Sequence, residues 1–353
     1  MPRMMRRLSN IIAICFLACI TTRTAAADWP AGLPVYDHIV IVIEENKDFE
    51  QILDARPDAP YIRQLASEGA SFSRMFGEEH HSQGNYFWLF SGSNQNVGFD
   101  DRVPTAASNP AYPFKASSLG EQLIGKGLTF KGYAEDLPAI GFAGNVGPPG
   151  CAGNACVYAR KHVPWISFAN VPNGTTVDTS SNLRFADFPS DFSQLPTVSI
   201  VVPNLVNDMH NGQPADSIPA GDAWLRQKLD GYYQWAKSHN SLLIVTFDEN
   251  DDQDNFRGLT SPLVSPSPPY PPVNQFNQHM LDVQNRIATI FAGAHVKPGT
   301  YAEGNGITHV NILRTIEAMY GLGKSGAQQP NALGAGIGDD QIITDVFEPL
   351  AKP

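Results

Sequence analysis

The chain has 353 residues, of which 42% are hydrophobic and 17% charged, and its formal net charge at pH 7 is −11. This length and composition are typical of a globular chain with one large domain or two smaller ones. The acidic balance argues against a nucleic-acid-binding protein, which needs a basic surface.

Residues 1–27 have the pattern of an export signal. A basic start is followed by an apolar centre at residues 11–20 and by a small-residue cleavage site at residues 25–27. The apolar centre is too short for a membrane span, and the residues before Cys19 make a poor lipoprotein signal, so no stable membrane anchor is expected. We expect a signal peptide over 1–27 and a periplasmic or secreted protein. Its removal takes away four Arg and no acid, which leaves the mature chain at −15.

The first predicted strand covers residues 38–43 and runs into polar side chains. Its five consecutive β-branched residues are typical of a strand buried on both faces of a parallel sheet. Ligands of open α/β sheets sit beyond the carboxyl ends of the strands, which is where Glu44, Glu45 and Asn46 stand.

A candidate nucleophile follows. A helix is predicted at residues 60–69 and an alternating segment at 71–76, and Ser82 then lies just ahead of an apolar helix start at 86–90. Free backbone N–H groups and the helix dipole favour an anion there, so Ser82 fits a nucleophilic serine. The alternative is an ordinary N-cap serine.

Three later predicted strands also lead into acidic or polar residues. The strands cover residues 128–133, 197–204 and 241–247, with helices at 118–127 and 220–238. The side chains that follow the strands are Glu135 and Asp136, then Asp208 and His210, then Asp248 and Glu249. A strand at 286–292 and a helix at 309–322 complete the pattern. Strands separated by helices predict a parallel α/β sheet with right-handed crossovers, and we treat residues 28–353 as one domain.

The Gly- and Pro-rich residues 138–182 indicate an inserted loop region over a site. They include Cys151 and Cys156, for which an oxidising compartment favours a local disulfide over a metal site. Residues 158–165 concentrate basic and aromatic side chains. That segment would either receive phosphate or pair with local carboxylates.

Acids gathered at one sheet edge predict a cation. Carboxylates held together repel one another unless they take up protons or a cation, and a hard divalent cation with oxygen ligands is the natural partner. His210 and His309 are candidates for nitrogen ligands or for the acid that protonates a leaving group, against the alternative of surface or capping histidines. The absence of a Gly-rich phosphate loop and of a Gly-x-Ser-x-Gly elbow argues against nucleotide-binding and α/β-hydrolase functions.

Together these segments resemble the phosphoesterase family of bacterial and fungal acid phosphatases and phospholipases C, which has an alkaline-phosphatase-like fold. The resemblance runs through most of the mature chain. Its segments are Ile43-Glu44-Glu45-Asn46-Lys47-Asp48-Phe49, His80-His81-Ser82-Gln83-Gly84-Asn85-Tyr86, Tyr133-Ala134-Glu135-Asp136-Leu137-Pro138, Lys161-His162-x-Pro164, Pro203-Asn204-x-x-x-Asp208-Met209-His210, Thr246-Phe247-Asp248-Glu249 and Leu313-Arg314-Thr315-Ile316-Glu317.

The resemblance implies a fold and a set of roles. The fold is a three-layer α/β sandwich with a mostly parallel central sheet. A divalent cation, whose identity the sequence leaves open, would be held by Glu45, Asn46, Asp248 and Glu249. Ser82 would take the phosphoryl group and Asn85 would touch a phosphate oxygen. The pocket would be lined by residues that help to protonate the leaving oxygen, namely His162, Asp208 and His210.

The assignment of Glu45 and Asn46 to one ion predicts a turn. Neighbours on an extended backbone point in opposite directions, so a strand that ran through both could not easily aim them at one ion. We therefore expect the strand to stop at Ile43 or Glu44, with Glu44 facing away from the metal.

The chain also departs from the family pattern. His81 and Gly84 stand where the family usually has prolines, which would loosen the nucleophile loop. After Asp248 and Glu249 the acidic residues 250–255 replace the Gly-Gly of the phospholipase branch, which favours the acid-phosphatase branch. We interpret Asp251, Asp252 and Asp254 as a solvated acidic loop rather than a calcium loop, whose glycine and terminal glutamate they lack.

The resulting hypothesis is an exported, metal-dependent phosphoric ester hydrolase that acts on phosphomonoesters through a phosphoserine. One alternative is a phospholipase C that cleaves phosphodiester headgroups. A second is a secreted binding protein that keeps the fold without catalysis. The expected partner is a small phosphate ester or a phospholipid headgroup, and no nucleic acid.

Overall fold

A computed structural model describes residues 29–53, 58–80, 82–97, 102–251 and 285–348. The strands in these ranges are β1 His38–Glu44, β2 Ala70–Phe72, β3 Met75–Phe76, β4 Phe130–Ala134, β5 Val146–Gly147, β6 Tyr158–Ala159, β7 Asn182–Arg184, β8 Val198–Val202, β9 Ser241–Phe247, β10 Thr289–Gly293, β11 Gly299–Tyr301 and β12 Ile307–Thr308. The helices are α1 Phe49–Leu53, α2 Pro60–Glu68, α3 Ser82–Ser91, α4 Leu119–Gly125, α5 Pro214–Ala236, α6 His309–Met319 and α7 Pro330–Gly334.

Eight of these strands form one sheet with the order β11-β2-β10-β9-β1-β8-β4-β7. Every neighbouring pair is parallel except the two pairs made by β10, which runs antiparallel to β9 and to β2. The predicted mostly parallel α/β sheet is confirmed. Periodicity carries no strand direction, so the reversal at β10 could not be predicted from the pattern.

Strand β1 lies at the centre of this sheet, between β8 and β9. All its residues after His38 are buried, since its β-branched side chains are covered on both faces. Helices α2 and α5 pack against each other and against β10, while α3 packs against α6 and α4, and α4 also packs against β4. Helices therefore cover a sheet that is buried through its middle, as the three-layer prediction requires.

Most predicted elements are found close to their expected ends. The strand expected at 241–247 is β9 itself, and Ser118 caps α4 by accepting a hydrogen bond from the backbone N–H of Glu121. Helix α5 begins at Pro214 rather than at residue 220, because proline suits the first turn of a helix and the apolar periodicity starts only later. The strand expected at 286–292 is shifted to β10.

The inserted region at 138–182 contains only short elements, as predicted. Strands β5 and β6 pair as an antiparallel hairpin, and Cys151 and Cys156 next to it form a disulfide with a Cα–Cα distance of 5.2 Å. The predicted disulfide is confirmed. Across the described part of the chain, no helix has both the length and the apolar character that a membrane crossing requires.

Candidate active site

The carboxyl ends of β1, β8 and β9 bring the predicted site residues together. These strands are parallel neighbours, so the loops that follow them start at the same edge of the sheet. Backbone hydrogen bonds join the loops, since Glu45 N donates to Asp208 O at 2.7 Å and Asp248 N donates to Glu44 O at 3.0 Å. The relative positions of the three loops are thus fixed by the main chain.

The predicted turn after β1 is present. The strand ends at Glu44, and Asn46 adopts a left-handed backbone conformation with φ 38°. The turn directs both Asn46 donors to the β9 loop, because its backbone N–H reaches Asp248 Oδ1 at 3.1 Å and its side-chain Nδ2 reaches Glu249 Oε1 at 3.0 Å. Glu44 makes neither contact. It is fully buried, and neither of its carboxylate oxygens has a hydrogen-bond partner within the described ranges.

Ser82 lies at the centre of this arrangement. It is the first residue of α3, and its Oγ is 3.0 Å from Glu45 Oε2 and 3.2 Å from Glu249 Oε1. The hydroxyl has one hydrogen and can donate it to only one of these two carboxylate oxygens at a time. The other oxygen therefore lies close to Oγ without a hydrogen bond from it. His81, the preceding residue, lies outside the described residues.

The loop before Ser82 is held by the side chain of Asn85. Its Oδ1 accepts hydrogen bonds from Glu78 N at 3.0 Å and Glu79 N at 3.1 Å, and its Nδ2 donates to Glu79 O at 2.5 Å. His80 on the same loop places Nδ1 2.6 Å from Glu249 Oε2. The loop is therefore tied both to α3 and to the β9 loop. The phosphate contact expected of Asn85 stays a prediction beside this anchoring role.

His162 and Asp208 form one wall of the site. His162 Nε2 is 3.3 Å from Glu45 Oε1, and His162 Nδ1 is 3.9 Å from Asp208 Oδ2. The ring of His210 lies 6.3 Å from that of His162, and His210 N donates to Asp208 Oδ1 at 2.8 Å. The three residues predicted to line the pocket thus lie next to one another, and His162 joins them to Glu45.

Trp165 packs the segment that carries His162 against the sheet. Its ring lies directly over Gly132 in β4, where a Cβ would overlap it, and its Nε1 donates to Asn182 Oδ1 at 3.0 Å. His162 ends the short helical turn that precedes Trp165. The missing side chain at Gly132 therefore lets the His162 segment pack closely on the sheet.

The donor set fits a hard cation. Oxygen or nitrogen atoms of Glu45, His162 and Asp208, all buried, lie within 4.8 Å of one another. In addition, Asn46 Oδ1, Asp248 Oδ2 and Asp208 Oδ2 are buried without a hydrogen-bond partner in the described part of the chain. Burying unpaired polar oxygens is costly, and a divalent cation with oxygen ligands removes that cost. These residues form a buried acidic and histidine cluster that can hold a metal ion.

Burial also shifts the proton affinities of the cluster. It raises the pKa of Glu45, Asp208 and Asp248 well above their usual range, and Coulomb repulsion within the cluster adds to the effect. The same burial, together with the charges of Lys161 and His210, lowers the pKa of His162 well below its usual value. The protein environment alone thus favours the neutral form of each group, which is the condition that a bound cation relieves.

Three residues contact the site although no role in it was predicted for them from the sequence. Tyr86 donates its hydroxyl to Glu45 Oε1 at 2.5 Å and stacks on His162, with ring centroids 5.0 Å apart. Lys47 Nζ donates to two backbone carbonyls of the site loops, and His80 contacts Glu249 as described above. Tyr86 and Lys47 lie inside the quoted motifs, but one sequence cannot show that side chains four residues from Ser82 or next to Asn46 turn inwards.

Other predicted candidates lie apart from this cluster. His309 uses both ring nitrogens elsewhere, with Nδ1 2.5 Å from Glu78 Oε2 and Nε2 2.8 Å from Phe247 O, so the structure does not bring this candidate ligand or acid to the cluster. Glu135 accepts hydrogen bonds from Asn204 N and Trp224 Nε1 at 3.0 and 2.8 Å, so it supports the β8 loop.

Only the start of the acidic loop is described. Asp251 N donates to Asp48 Oδ1 at 3.2 Å, and Gln51 Nε2 donates to Asp251 Oδ2 at 3.1 Å. Asp251 is therefore tied to the segment that follows β1 rather than solvated as expected. Asp252 and Asp254 lie outside the described residues.

Comparison with known proteins identifies a matching family and similar phosphatases. The model described as Phosphoesterase family matches residues 54–323. A phosphatidylinositol-3-phosphatase of Mycobacterium tuberculosis is 39% identical over 298 residues, which cover 84% of this chain and 81% of that protein. A phosphate-repressible acid phosphatase of Penicillium chrysogenum is 26% identical, with 81% of this chain and 60% of that protein covered.

Among solved structures, a Vibrio parahaemolyticus protein of the alkaline phosphatase superfamily superposes with a TM-score of 0.52. The alignment covers 88% of this chain and 71% of that chain at 12% identity. At this identity the likeness concerns the fold alone, and it agrees with the sheet described above.

Proposed function

This chain belongs to the Phosphoesterase family and is a phosphoric ester hydrolase, and on that premise we propose that it is an exported, metal-dependent phosphomonoesterase with Ser82 as its nucleophile. The observation that carries the proposal is the position of the Ser82 hydroxyl between Glu45 and Glu249 at the N-terminus of α3. The names of the relatives, a phosphatidylinositol phosphatase and acid phosphatases, favour monoesters over the phosphodiesters of a phospholipase C. The same names argue against a catalytically inactive binding protein.

The cation would be held by Glu45, Asn46, Asp248 and Glu249. Asn46 contacts Asp248 through its backbone N–H and Glu249 through its side chain, and Ser82 contacts Glu45 and Glu249. These contacts connect the four residues with the nucleophile and support this choice. A divalent cation bound there would lower the pKa of the serine hydroxyl and neutralise charge on the phosphate oxygens.

The reaction we propose has two displacements. Ser82 Oγ forms a bond to phosphorus while the bond from phosphorus to the ester oxygen breaks, and the alcohol leaves with one proton. Water then attacks the phosphoserine, which returns the serine hydroxyl and releases inorganic phosphate.

The protein groups around the nucleophile would divide the remaining tasks. The Asn85 amide would offer its second hydrogen to a phosphate oxygen, the first being used by Glu79 O. His162, Asp208 and His210 would line the leaving-group side. The 3.9 Å between His162 Nδ1 and Asp208 Oδ2 supports placing these two residues together on that side.

Two substitutions in α3 test the nucleophile. Ser82→Ala should lower the turnover of p-nitrophenyl phosphate by about 10³-fold or more, because no other group replaces the attacking oxygen. Ser91→Ala in the same helix is the matched control, since Ser91 Oγ donates to Phe87 O at the far end of α3, and it should keep most of the activity. Acid-quenched wild-type protein should carry one phosphoryl group on the Ser82 peptide. Unchanged turnover in Ser82→Ala would refute the assignment.

Substrate class and metal need separate measurements. We expect faster hydrolysis of p-nitrophenyl phosphate and of phosphatidylinositol 3-phosphate than of the diester p-nitrophenylphosphorylcholine. Treatment with a chelator should remove the activity and added Mn²⁺ or Mg²⁺ should restore it, whereas Asp248→Asn should not be restored to the wild-type rate. A preference for the diester would instead favour the phospholipase C alternative.

Export and domain extent complete the proposal. We propose that residues 1–27 are removed on export to the periplasm or the medium, and that residues 28–353 form one domain. Sequencing the N-terminus of the protein from the expressing cells checks the cleavage site.

A further inference from the structure

Lys47 is a buried lysine whose contacts join two loops of the site. Only 4% of its surface is exposed, which is unusual for this residue type. Its Nζ donates to Asn46 O at 2.8 Å in the loop after β1 and to Met209 O at 2.9 Å in the loop after β8. One ammonium group thus connects two segments that are 162 residues apart in sequence.

Both carbonyls belong to residues in the left-handed region of backbone conformation. Asn46 has φ 38° and Met209 has φ 77°, and neither is a glycine. Asparagine tolerates the left-handed region better than most residues, but this conformation is costly for Met209, so the surrounding structure must hold Met209 in place. The hydrogen bonds from Lys47 to both carbonyls help to hold these backbone conformations.

Both left-handed residues lie next to groups that position the proposed ligands. The turn at Asn46 aims that residue at Asp248 and Glu249, and Met209 follows Asp208, whose backbone carbonyl accepts from Glu45 N. We propose that Lys47 is a positioning residue, which holds the β1 and β8 loops in their cation-binding arrangement before an ion arrives. The inference rests on the ligand set given under the proposed function.

The choice of acceptors separates this role from simple charge neutralisation. Burial lowers the pKa of Lys47, while the charges of Asp251, Asp208 and Asp248 act against that effect. Carboxylates are therefore close enough to act on the ammonium, yet the acceptors described for Nζ are the two carbonyls. The contacts fix backbone geometry, which a freely placed counter-ion would not do.

Lys131 provides a matched control away from the site. Its Nζ also donates to two backbone carbonyls, Val177 O at 2.7 Å and Ser180 O at 2.6 Å, and burial lowers its pKa as well. Lys131→Met therefore removes the same kind of contact, two hydrogen bonds from one ammonium group to backbone carbonyls, from a different loop. A general loss of stability should appear in both variants, whereas a loss of cation affinity should appear only with Lys47→Met.

The experiment is a calorimetric titration of Mn²⁺ into the chelator-treated full chain. We expect Lys47→Met to weaken Mn²⁺ binding by about 10- to 100-fold, as is usual when the partners that orient metal ligands are removed. Lys131→Met should bind Mn²⁺ as the wild type does. Equal affinity in Lys47→Met and wild type would overturn the role of Lys47 and leave the proposed function intact. A wild type that takes up no Mn²⁺ would overturn both.

Two further measurements apply should Lys47→Met fail to fold. Lys47→Gln keeps one donor and carries the same titration, with the same expected direction. In the metal-free wild type, hydrogen exchange should show protection of the backbone N–H groups of Glu45 and Asn46, because the loops are already held. Exchange of both groups at the rate of an exposed loop would overturn the inference.

Discussion

The carboxylate of Glu79 fills the space in which a side chain at residue 84 would begin. Glu79 is buried, and both its oxygens accept from Asn94 Nδ2 at 3.0 Å. A Cβ built on Gly84 would overlap Glu79 Oε1 and lie 2.6 Å from Glu79 Cδ. Gly84 therefore accommodates a buried acid beside the proposed nucleophile, so the loop is packed at this position rather than loosened as expected from the missing proline.

The first prediction concerns this contact. Gly84→Ala should lower the turnover of p-nitrophenyl phosphate by about 10- to 100-fold, because the new methyl group displaces Glu79 and with it the loop that carries Ser82. Adding Glu79→Ala should restore part of the lost turnover. A double-mutant cycle of unfolding free energies should give a coupling energy of about 1–3 kcal/mol between the two substitutions. Gly125→Ala in α4 is the control, since its Cβ would meet only Glu121 Oε1 at 4.0 Å. Additive effects would contradict the packing argument.

The second prediction concerns the hydroxyl of Tyr86. The hydroxyl donates to Glu45 Oε1 at 2.5 Å, so Tyr86→Phe frees an oxygen of a proposed ligand without removing the ring that stacks on His162. Cation affinity should fall by about 10-fold and kcat should fall with it. Tyr232→Phe removes a hydroxyl that donates to Leu242 O at 3.0 Å near the start of β9, and it should leave both quantities unchanged. Titration with Mn²⁺ distinguishes the two variants.

The third prediction concerns the buried pair of His309 and Glu78. Burial alone would lower the pKa of His309, but the carboxylate of Glu78 and the carbonyl of Phe247 raise it above the ordinary value. A histidine whose pKa is higher in the folded state stabilises the fold below pH about 6.5 and loses that contribution as the pH rises through the folded value. His309→Gln should therefore lose about 1–2 kcal/mol of unfolding free energy at pH 6 and less at pH 9. Urea unfolding at both pH values, with the exposed His239→Gln as control, measures the difference. An equal loss at both would exclude a charged pair.

The fourth prediction has the opposite sign. Burial and the nearby Asp345 raise the pKa of Glu303 to about 8. An acid whose pKa is higher in the folded state binds its proton more tightly there, so it destabilises the fold progressively from pH about 4.5 to 8. Glu303→Gln should raise the unfolding free energy at pH 8 by about 1 kcal/mol, less than the full pKa shift implies because solvent screens this partly exposed carboxylate, and should have little effect at pH 4.5. Thermal unfolding across this range tests it, and a variant less stable than wild type at pH 8 would contradict it.

Much of the fold could be predicted because it follows from local pattern. The β-branched run before Glu44 and the apolar run of β9 identify the central strands, and strand-end acids identify the edge at which a site forms. The turn at Asn46 could be predicted as well, because two neighbouring side chains cannot serve one ion from an extended backbone.

The rest depends on contacts between distant segments. No periodicity indicates that β10 runs antiparallel, or that His309 contacts Glu78 and Phe247 instead of joining the acidic cluster. The roles of Lys47 and Tyr86 depend on distant partners, because Lys47 contacts the loop after β8 and Tyr86 contacts Glu45 in the loop after β1. Such roles arise from tertiary packing, which cannot be predicted from a short segment of one sequence.

The central position of β1 has a consequence for how the protein matures. Asn46 and its partner Asp248 are 202 residues apart, yet they lie on loops of adjacent strands. A chain whose synthesis has not passed Asp248 holds only part of the proposed cation site, whatever local structure it has already formed. On the proposed ligand set, cation uptake would therefore be a late event that follows long-range assembly, and a partly synthesised chain would not be active.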